Sequence, residues 1–302
     1  MKVLDQAAGR DWTLLNADCV EAMAEMPAAC VDFSVYSPPF SSLYIYSESE
    51  RDMGNVANDA AFQACYRAAV REKFRLTKPG RLTAIHVKDL VYYSNASARG
   101  DRGLRDFTGD CIRTHLAEGW SFHTRITIWR DPVKEQRKSK PDGLLFKNFK
   151  ADAARCRVGM PEYMIVFRKW GDGMDEATPI VHDEREFPLS IWQQWASPVW
   201  LDTRETDVLN AKIARDDEAE KHLCPMPLDL SERSIRLWSN PGDVVLSPFA
   251  GVGSEGWSAL KAQRRFVGIE LKDAYFRQAA KYLAEAEASA SDGLFGAARA
   301  AE

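Results

Sequence analysis

A chain of 302 residues that is 45% hydrophobic and 28% charged can bury a substantial core, and 18 glycines and 14 prolines are ordinary for a globular enzyme, which excludes a disordered or fibrous protein. No apolar run approaches the ~20 residues of a membrane span, and the start MKVLDQAAGR lacks an apolar signal core. The formal charge of -4 excludes a wholly basic nucleic-acid coat protein but leaves room for a local basic face. The six cysteines are scattered, without a C-x-x-C pair or a short-spaced Cys/His cluster. This pattern predicts neither a disulfide framework nor a metal site, and it fits a reducing cytoplasm.

In chain order, short apolar or β-branched runs predict strands at 12–16, 31–36 and 82–87, with a helix over about 58–76 that stops at Lys78-Pro79-Gly80. A helix is predicted at 104–118, followed by strands at 122–129 and 162–168 with no helical pattern between them, as expected of an antiparallel edge hairpin. Helices at 227–239, 254–262 and 273–286 then alternate with strands at 243–246 and 265–269. Such alternation implies an α/β fold with a mostly parallel sheet covered on both faces. Charge is uneven: residues 125–169 hold twelve Lys and Arg against five Asp and Glu, whereas 170–221 hold five against thirteen and include Trp192, Trp195 and Trp200. The tail from 289 to 302 is rich in small residues and is expected to be flexible beyond its helix.

Two sites carry chemistry. The run Asp243 to Gly256 drives a buried strand into a glycine turn and straight into a helix, and Gly251, Gly253 and Gly256 match G-x-G-x-x-G. Glu270 lies nineteen residues beyond Gly251, at the end of the next strand. Glycines let the backbone approach a ligand and an acid at that distance accepts from ribose hydroxyls, so this is a nucleoside site. A dinucleotide-binding dehydrogenase would explain the turn too. Against it stand the longer Ser247-Pro248-Phe249-Ala250 lead-in and the single helix left after Glu270, which forces the rest of the sheet to come from upstream. The upstream half ends a strand on Ser37-Pro38-Pro39-Phe40. Two prolines fix the backbone and remove donors, leaving rigid carbonyls beside a hydroxyl and an aromatic face. That set suits an amino group on a planar base, whereas a Pro-Pro turn packed on a core Phe is the structural alternative.

Together the two sites resemble the amino-group DNA methyltransferases that use S-adenosylmethionine, in the permuted β-class order and with likeness to phage-borne and orphan enzymes. The resemblance rests on Ser37-Pro38-Pro39-Phe40 preceding Phe249-Ala250-Gly251-Val252-Gly253, with Asp18 and Glu270-Leu271 at the expected places and a looser match at His222 to Pro227. It implies a Rossmann-like methyltransferase sheet and catalytic residues Ser37, Pro38, Pro39 and Phe40. The implied cofactor residues are Asp18 for the adenine amino group, with a turn residue as its alternative, Cys19, Cys224 and Pro225 beside the ring, Ser247, Phe249, Ala250, Gly251, Gly253 and Ser254 around the methionine part, and Glu270 and Leu271 at the ribose. The family usually has Asp where this chain has Ser247, a departure that bears on one polar contact near the methionine amino group. A C5-cytosine mechanism would need a Pro-Cys pair, and the chain has only Cys224-Pro225 in the opposite order.

The expected organisation is a catalytic half at 1–169 with a basic DNA-contacting loop at 130–160, an inserted target-recognition region at 170–217, and a cofactor half at 218–288. The expected partner is double-stranded DNA, with the oligomeric state open between monomer and homodimer. Expected phosphate partners are Lys134, Arg137, Lys138, Lys140, Lys147, Lys150, Arg155 and Arg157, with a solvated loop as the alternative. Trp195 and Trp200 are candidate base-handling residues, with local core as the alternative, and Tyr44 and Tyr46 are placed to cap the pocket. His86 and Lys88 end a strand on the ligand side of the sheet. The expected target is adenine N6 by likeness to the orphan enzymes, with cytosine N4 as the alternative because Ser heads the catalytic tetrapeptide. A non-catalytic DNA-binding module is the remaining reading, and the intact tetrapeptide argues against it.

Overall fold

The computed structural model describes residues 3–40, 52–55, 58–97, 99–138, 144–210 and 225–299. Its strands are β1 (Asp5–Ala8), β2 (Trp12–Asn16), β3 (Val31–Tyr36), β4 (Thr77–Val87), β5 (Leu90–Tyr92), β6 (Gly103–Arg105), β7 (Ser121–Ile128), β8 (Glu162–Arg168), β9 (Val199–Trp200), β10 (Val244–Ser247) and β11 (Arg265–Glu270). The α-helices are α1 (Cys19–Glu25), α2 (Asp59–Leu76), α3 (Phe107–Ala117), α4 (Pro132–Lys138), α5 (Phe146–Ala151), α6 (Leu189–Trp195), α7 (Leu228–Trp238), α8 (Ser254–Lys261) and α9 (Asp273–Arg299).

Nine strands form one sheet in the order β1-β2-β11-β10-β3-β4-β8-β7-β9, and β5 and β6 make a separate ribbon. The run from β2 through β11, β10 and β3 to β4 is parallel, and β8 lies antiparallel to both β4 and β7. The hairpin expected from 122–129 and 162–168 therefore exists, but the two-residue β9 caps its outer edge, parallel to β7. Side chains alternate strictly. Leu14, Val245, Ala84, Met164 and Val166 enter one core. Leu15, Leu246, Ile85, Ile165 and Phe167 enter the other. Helices α1, α2 and α3 cover the second face, while α7, α8 and α9 cover the first.

Local sequence explains the helices that matter to the site. Asp18 caps α1, accepting from the backbone N–H of Val20 and Glu21. Asn58 caps α2, which buries Phe62, Tyr66, Ala69, Val70, Lys73 and Leu76 at helical spacing. At the opposite end of the sheet, buried Asp32 accepts from Lys78 at 2.7 Å and from the Val244 N–H at 3.0 Å, tying β3 to the starts of its neighbours.

Three features of the organisation go beyond the sequence reading. Within the expected 170–217 region, β9 extends the main sheet and Trp200 is 1% exposed in the core. The last helix is longer than the predicted 273–286: α9 continues through Arg299. And α1, α4, α5, α6, β1, β5, β6 and β9 escaped prediction, with α4 and α5 standing in the connection between β7 and β8 where no helix is expected, since pieces of two to seven residues carry too few periods to register against background. No described helix is long and apolar enough to cross a membrane.

Candidate active site

Ligands of open α/β sheets bind beyond the carboxyl ends of the strands, where the strand order reverses. Here that point lies between β3 and β10: the chain runs from β3 outward to β4 on one side and from β10 outward to β11 on the other. Because β2, β3, β10 and β11 are mutually parallel, their C-terminal ends share one rim. That rim delivers Asp18, Ser37, the loop beginning at Pro248, and Glu270 to a single cavity.

The glycine turn is built for close approach. Gly251 and Gly253 have φ of +53° and +91°, a region costly for residues with a Cβ, and Gly253 starts α8. Gly256 serves packing: a Cβ there would meet Phe266 at 2.6 Å and Leu283 at 2.4 Å. Glu270 closes the turn, accepting from the Gly251 N–H and the Lys272 N–H, both at 2.8 Å. Burial raises its carboxyl to about 7. Asn16 donates to the Glu270 and Leu271 carbonyls and locks β2 against β11.

Asp18, Cys19, Ser37, Pro38, Pro39, Phe40, Pro225, Phe249, Ala250, Gly251, Ser254, Glu270 and Leu271 all line the cavity, as the sequence predicts. Asp18 fills both readings: its two capping bonds fall on Oδ1, which leaves Oδ2 for a ligand. Ser247 is a correction. It is the last residue of β10, fully buried, with an unpartnered Oγ, and it is absent from the cavity wall. Gly253 shapes the turn without lining the cavity. Cys224, Tyr44, Tyr46 and Lys140 lie outside the described residues.

Sequence reading placed His86 near the site but missed its partners. Ser37 Oγ lies 3.2 Å from His86 Nδ1, and His86 Nε2 lies 2.8 Å from Glu162 Oε2. Arg130 donates to the same carboxylate oxygen at 2.6 Å. Burial works against ionising Glu162, but the bonds from His86 and Arg130 prevail and hold it well below the usual carboxylate range. An ionised Glu162 can only accept, so Nε2 donates to it, and a ring carrying that single hydrogen accepts from the Ser37 hydroxyl at Nδ1. The Ser37 lone pairs then face outward as acceptors. Polar residues heading β8 and following β7 were the available signal, yet nothing in the sequence aligned them with His86. Glu255, Asp52 and Met53 also line the cavity and were not anticipated. Lys88 is absent from the wall.

Among the expected DNA contacts, Lys134, Lys147, Lys150 and Arg155 are exposed. Arg155 pairs with Asp152 at 3.3 Å. Arg137 and Lys138 end α4. Arg157 is a correction: it is held by Glu135 at 3.2 Å and mostly covered, so it braces the α4 region. Trp200 is the other, buried with its indole N–H on the Trp195 carbonyl at 2.9 Å. Trp195 packs on Phe187 at 5.2 Å between centroids, with Arg233 and Arg236 over its ring, and belongs to the core margin.

The sequence is 42% identical to the DNA adenine methyltransferase YhdJ of Escherichia coli strain K12 over 67 residues, 22% of this chain and 23% of that protein. It is 25% identical to the type II methyltransferase M.MjaI of Methanocaldococcus jannaschii over 208 residues, 66% of this chain and 60% of that one. The chain thus spans from about a quarter to three fifths of these curated relatives. Among solved structures, TTHA0409 of Thermus thermophilus, a putative DNA modification methylase complexed with S-adenosyl-L-methionine, superposes with a TM-score of 0.64 at 25% identity, covering 89% of this chain and 92% of that one. The cytosine-N4-specific PvuII DNA methyltransferase shares the fold, with a TM-score of 0.62 at 15% identity over 93% and 90% of the two chains. The profile of the DNA methylase family matches residues 31–281, and with the cavity, the glycine turn and the tetrapeptide in register, the chain belongs to that family.

Proposed function

We propose that this chain is an S-adenosylmethionine-dependent DNA methyltransferase that methylates the exocyclic amine of a base flipped out of the duplex, with adenine N6 as the target. The observation that carries the reading is the Ser37–His86–Glu162 chain, whose Ser37 end lines the same cavity as the glycine turn and Glu270. The cavity chemistry fits the cofactor: Glu270 accepts from a ribose diol, Asp18 Oδ2 from an adenine amino group, and Phe249, Pro225 and Leu271 offer apolar faces to a ring. Bound there, S-adenosylmethionine supplies an electrophilic methyl on a sulfonium.

An aromatic amine is a poor nucleophile because its lone pair is shared with the ring. Ser37 Oγ and the Pro38 carbonyl accept from the amine hydrogens and draw the nitrogen toward tetrahedral geometry. Phe40 stacks on the extruded base, and the rigid Pro38-Pro39 backbone holds the alignment that supplies much of the rate. The methylated nitrogen carries one proton too many, and Ser37 passes it to His86 Nδ1. Glu162 and Arg130 hold His86 in the accepting tautomer until it takes that proton, and the Glu162 carboxylate then faces the imidazolium that forms.

Likeness to an adenine enzyme over 67 residues supports adenine N6. The serine heading the tetrapeptide favours cytosine N4 as the second reading. Incubating the purified chain with DNA and labelled cofactor, then digesting to nucleosides for mass spectrometry, tests both. N6-methyladenine is expected; N4-methylcytosine selects the second reading; 5-methylcytosine, or no methylated nucleoside, overturns the proposal. Pro38→Ala and Phe40→Ala are expected to abolish transfer while leaving cofactor affinity within a few-fold, because both residues face the base.

A further inference from the structure

The cavity holds one acid that the roles above leave unused. Glu255 sits in the first turn of α8, 4% exposed, and lines the cavity beside the glycine turn. Its only bond is from its own backbone N–H; no other described group donates to it or pairs with it. A carboxyl taken out of water without a partner is costly, and such groups persist where a ligand completes them. The neighbouring Glu270 spends both oxygens on backbone N–H groups, so it offers Glu255 nothing but repulsion. Two acids in one cavity favour a ligand that brings positive charge.

The family resemblance leaves a vacancy that this acid matches. The usual aspartate at the end of the strand before the glycine turn is Ser247 here, and the Ser247 hydroxyl is buried off the cavity wall. The chain therefore lacks a carboxylate on one side of the turn and carries an unpartnered one eight residues later. We infer that Glu255 receives the α-ammonium group of the methionine moiety of S-adenosylmethionine, in place of the carboxylate absent at Ser247. The assignment rests on the cofactor reading above. Position supports it: Glu270 and Glu255 flank the turn Gly251 to Gly253, so a nucleoside whose ribose meets Glu270 extends its amino-acid arm past Glu255.

Protonation adds a signature. Burial, with the Glu270 charge nearby, pushes Glu255 up to about 8, so near pH 7 the free acid is mostly protonated. An ammonium ligand requires the carboxylate, and the proton leaves on binding. The other titratable groups on that wall are Asp18, Cys19, Asp52, Glu270, Lys272 and Tyr275; burial raises the Cys19 thiol well above its ordinary value, which keeps it protonated. Any proton Glu270 loses to a ribose is lost to every nucleoside ligand alike, so the difference between two nucleosides isolates Glu255.

The test is calorimetric titration of the full chain and of Glu255→Gln with three probes: S-adenosylhomocysteine, its deaminated analogue, and 5′-methylthioadenosine, which lacks the amino-acid arm. Gln resembles the protonated acid in shape and polarity, so the variant is expected to fold. Glu255→Gln should bind S-adenosylhomocysteine roughly ten- to a hundredfold more weakly, the range of a charged hydrogen bond, and methylthioadenosine within about twofold. The wild-type chain should show the same loss toward the deaminated analogue, with no further loss in the variant. Buffers of different ionisation enthalpy should register more proton release with S-adenosylhomocysteine than with methylthioadenosine. Unchanged affinity for S-adenosylhomocysteine, or an equal loss for all three probes, overturns the assignment. A wild-type chain that binds none of them overturns the cofactor reading itself, and the assignment with it.

Discussion

His86 shows how one ring decides the polarity of a whole site. Were Glu162 neutral, either nitrogen of His86 could donate and Ser37 could be left facing a donor; with Glu162 ionised, Nε2 must donate to it, and a ring with one hydrogen then presents Nδ1 to Ser37 as an acceptor. Glu162→Gln keeps the shape but frees the tautomer. It is expected to lower kcat by roughly 10²–10⁴, the usual range of acid–base contributions, while leaving cofactor affinity unchanged. Steady-state kinetics beside a cofactor titration check this, and a loss confined to affinity would sink the role. Glu270 is the contrasting residue, since it meets the cofactor and not the base. Its replacement by Ala removes a bidentate acceptor, and binding is expected to weaken roughly tenfold to 150-fold, from ~1.5–3 kcal/mol per charged hydrogen bond. Isothermal titration with S-adenosylhomocysteine reads it directly.

Among the elements, α5 is the most exposed basic piece. Lys147 and Lys150 stand in solvent beside Phe146 and Phe149, which are 76% and 71% exposed, with Lys150 over both rings. If this helix meets phosphates, replacing Lys147 and Lys150 with Ala should weaken binding to every DNA sequence alike. The slope of log affinity against log salt should flatten by roughly one to two units. Anisotropy at several salt concentrations gives the slope, and methylation mapping should find the preferred site unchanged, because phosphate contacts position without reading bases. Arg157→Ala should behave differently. Its partner is Glu135, so the loss would appear as a lower thermal midpoint and not as a changed salt slope.

Across the whole molecule, buried acids make stability depend on pH. Burial raises Glu270 to about 7 and Glu255 to about 8 from an ordinary 4.5. Between those limits the folded chain holds more protons than the unfolded one, so stability falls as pH rises through the window. Glu162 acts in the opposite sense: its carboxyl is held low, and its contribution is lost as pH falls below 4.5. Buried Lys73 and His115 are held low by burial and act against the two acids over the same range, so the acid contribution is read as a difference: from about pH 5 to about pH 8 the ligand-free chain is expected to lose thermal midpoint relative to Glu255→Gln. Scanning calorimetry of both chains across the range checks it; a difference that does not grow with pH would contradict the burial of Glu255.

Sequence by itself determined the parts of this protein that repeat or obey local stereochemistry. Strand–helix alternation predicted the parallel sheet, Lys78-Pro79-Gly80 marked the stop of α2 although these residues already belong to β4, and Gly251, Gly253 and the nineteen-residue step to Glu270 located the nucleoside turn, because these signals lie within one or two elements. It also predicted that Ser37 to Phe40 and the glycine turn belong together, since a motif in fixed order carries its partner. What lies across strands was invisible. His86, Glu162 and Arg130 come from β4, β8 and the end of β7, and only the register that pairs His86 with Met164 brings the first two side by side. The fates of Arg157, Ser247 and the tryptophans were likewise decided in three dimensions. A basic or aromatic residue reads the same in sequence whether it faces solvent or a neighbour, and Trp200 became core because β9 docks on β7. Glu255 carries no sequence signal of a ligand role beyond its place in the loop. Burial without a partner supplies that signal, and burial is a property of the folded chain alone.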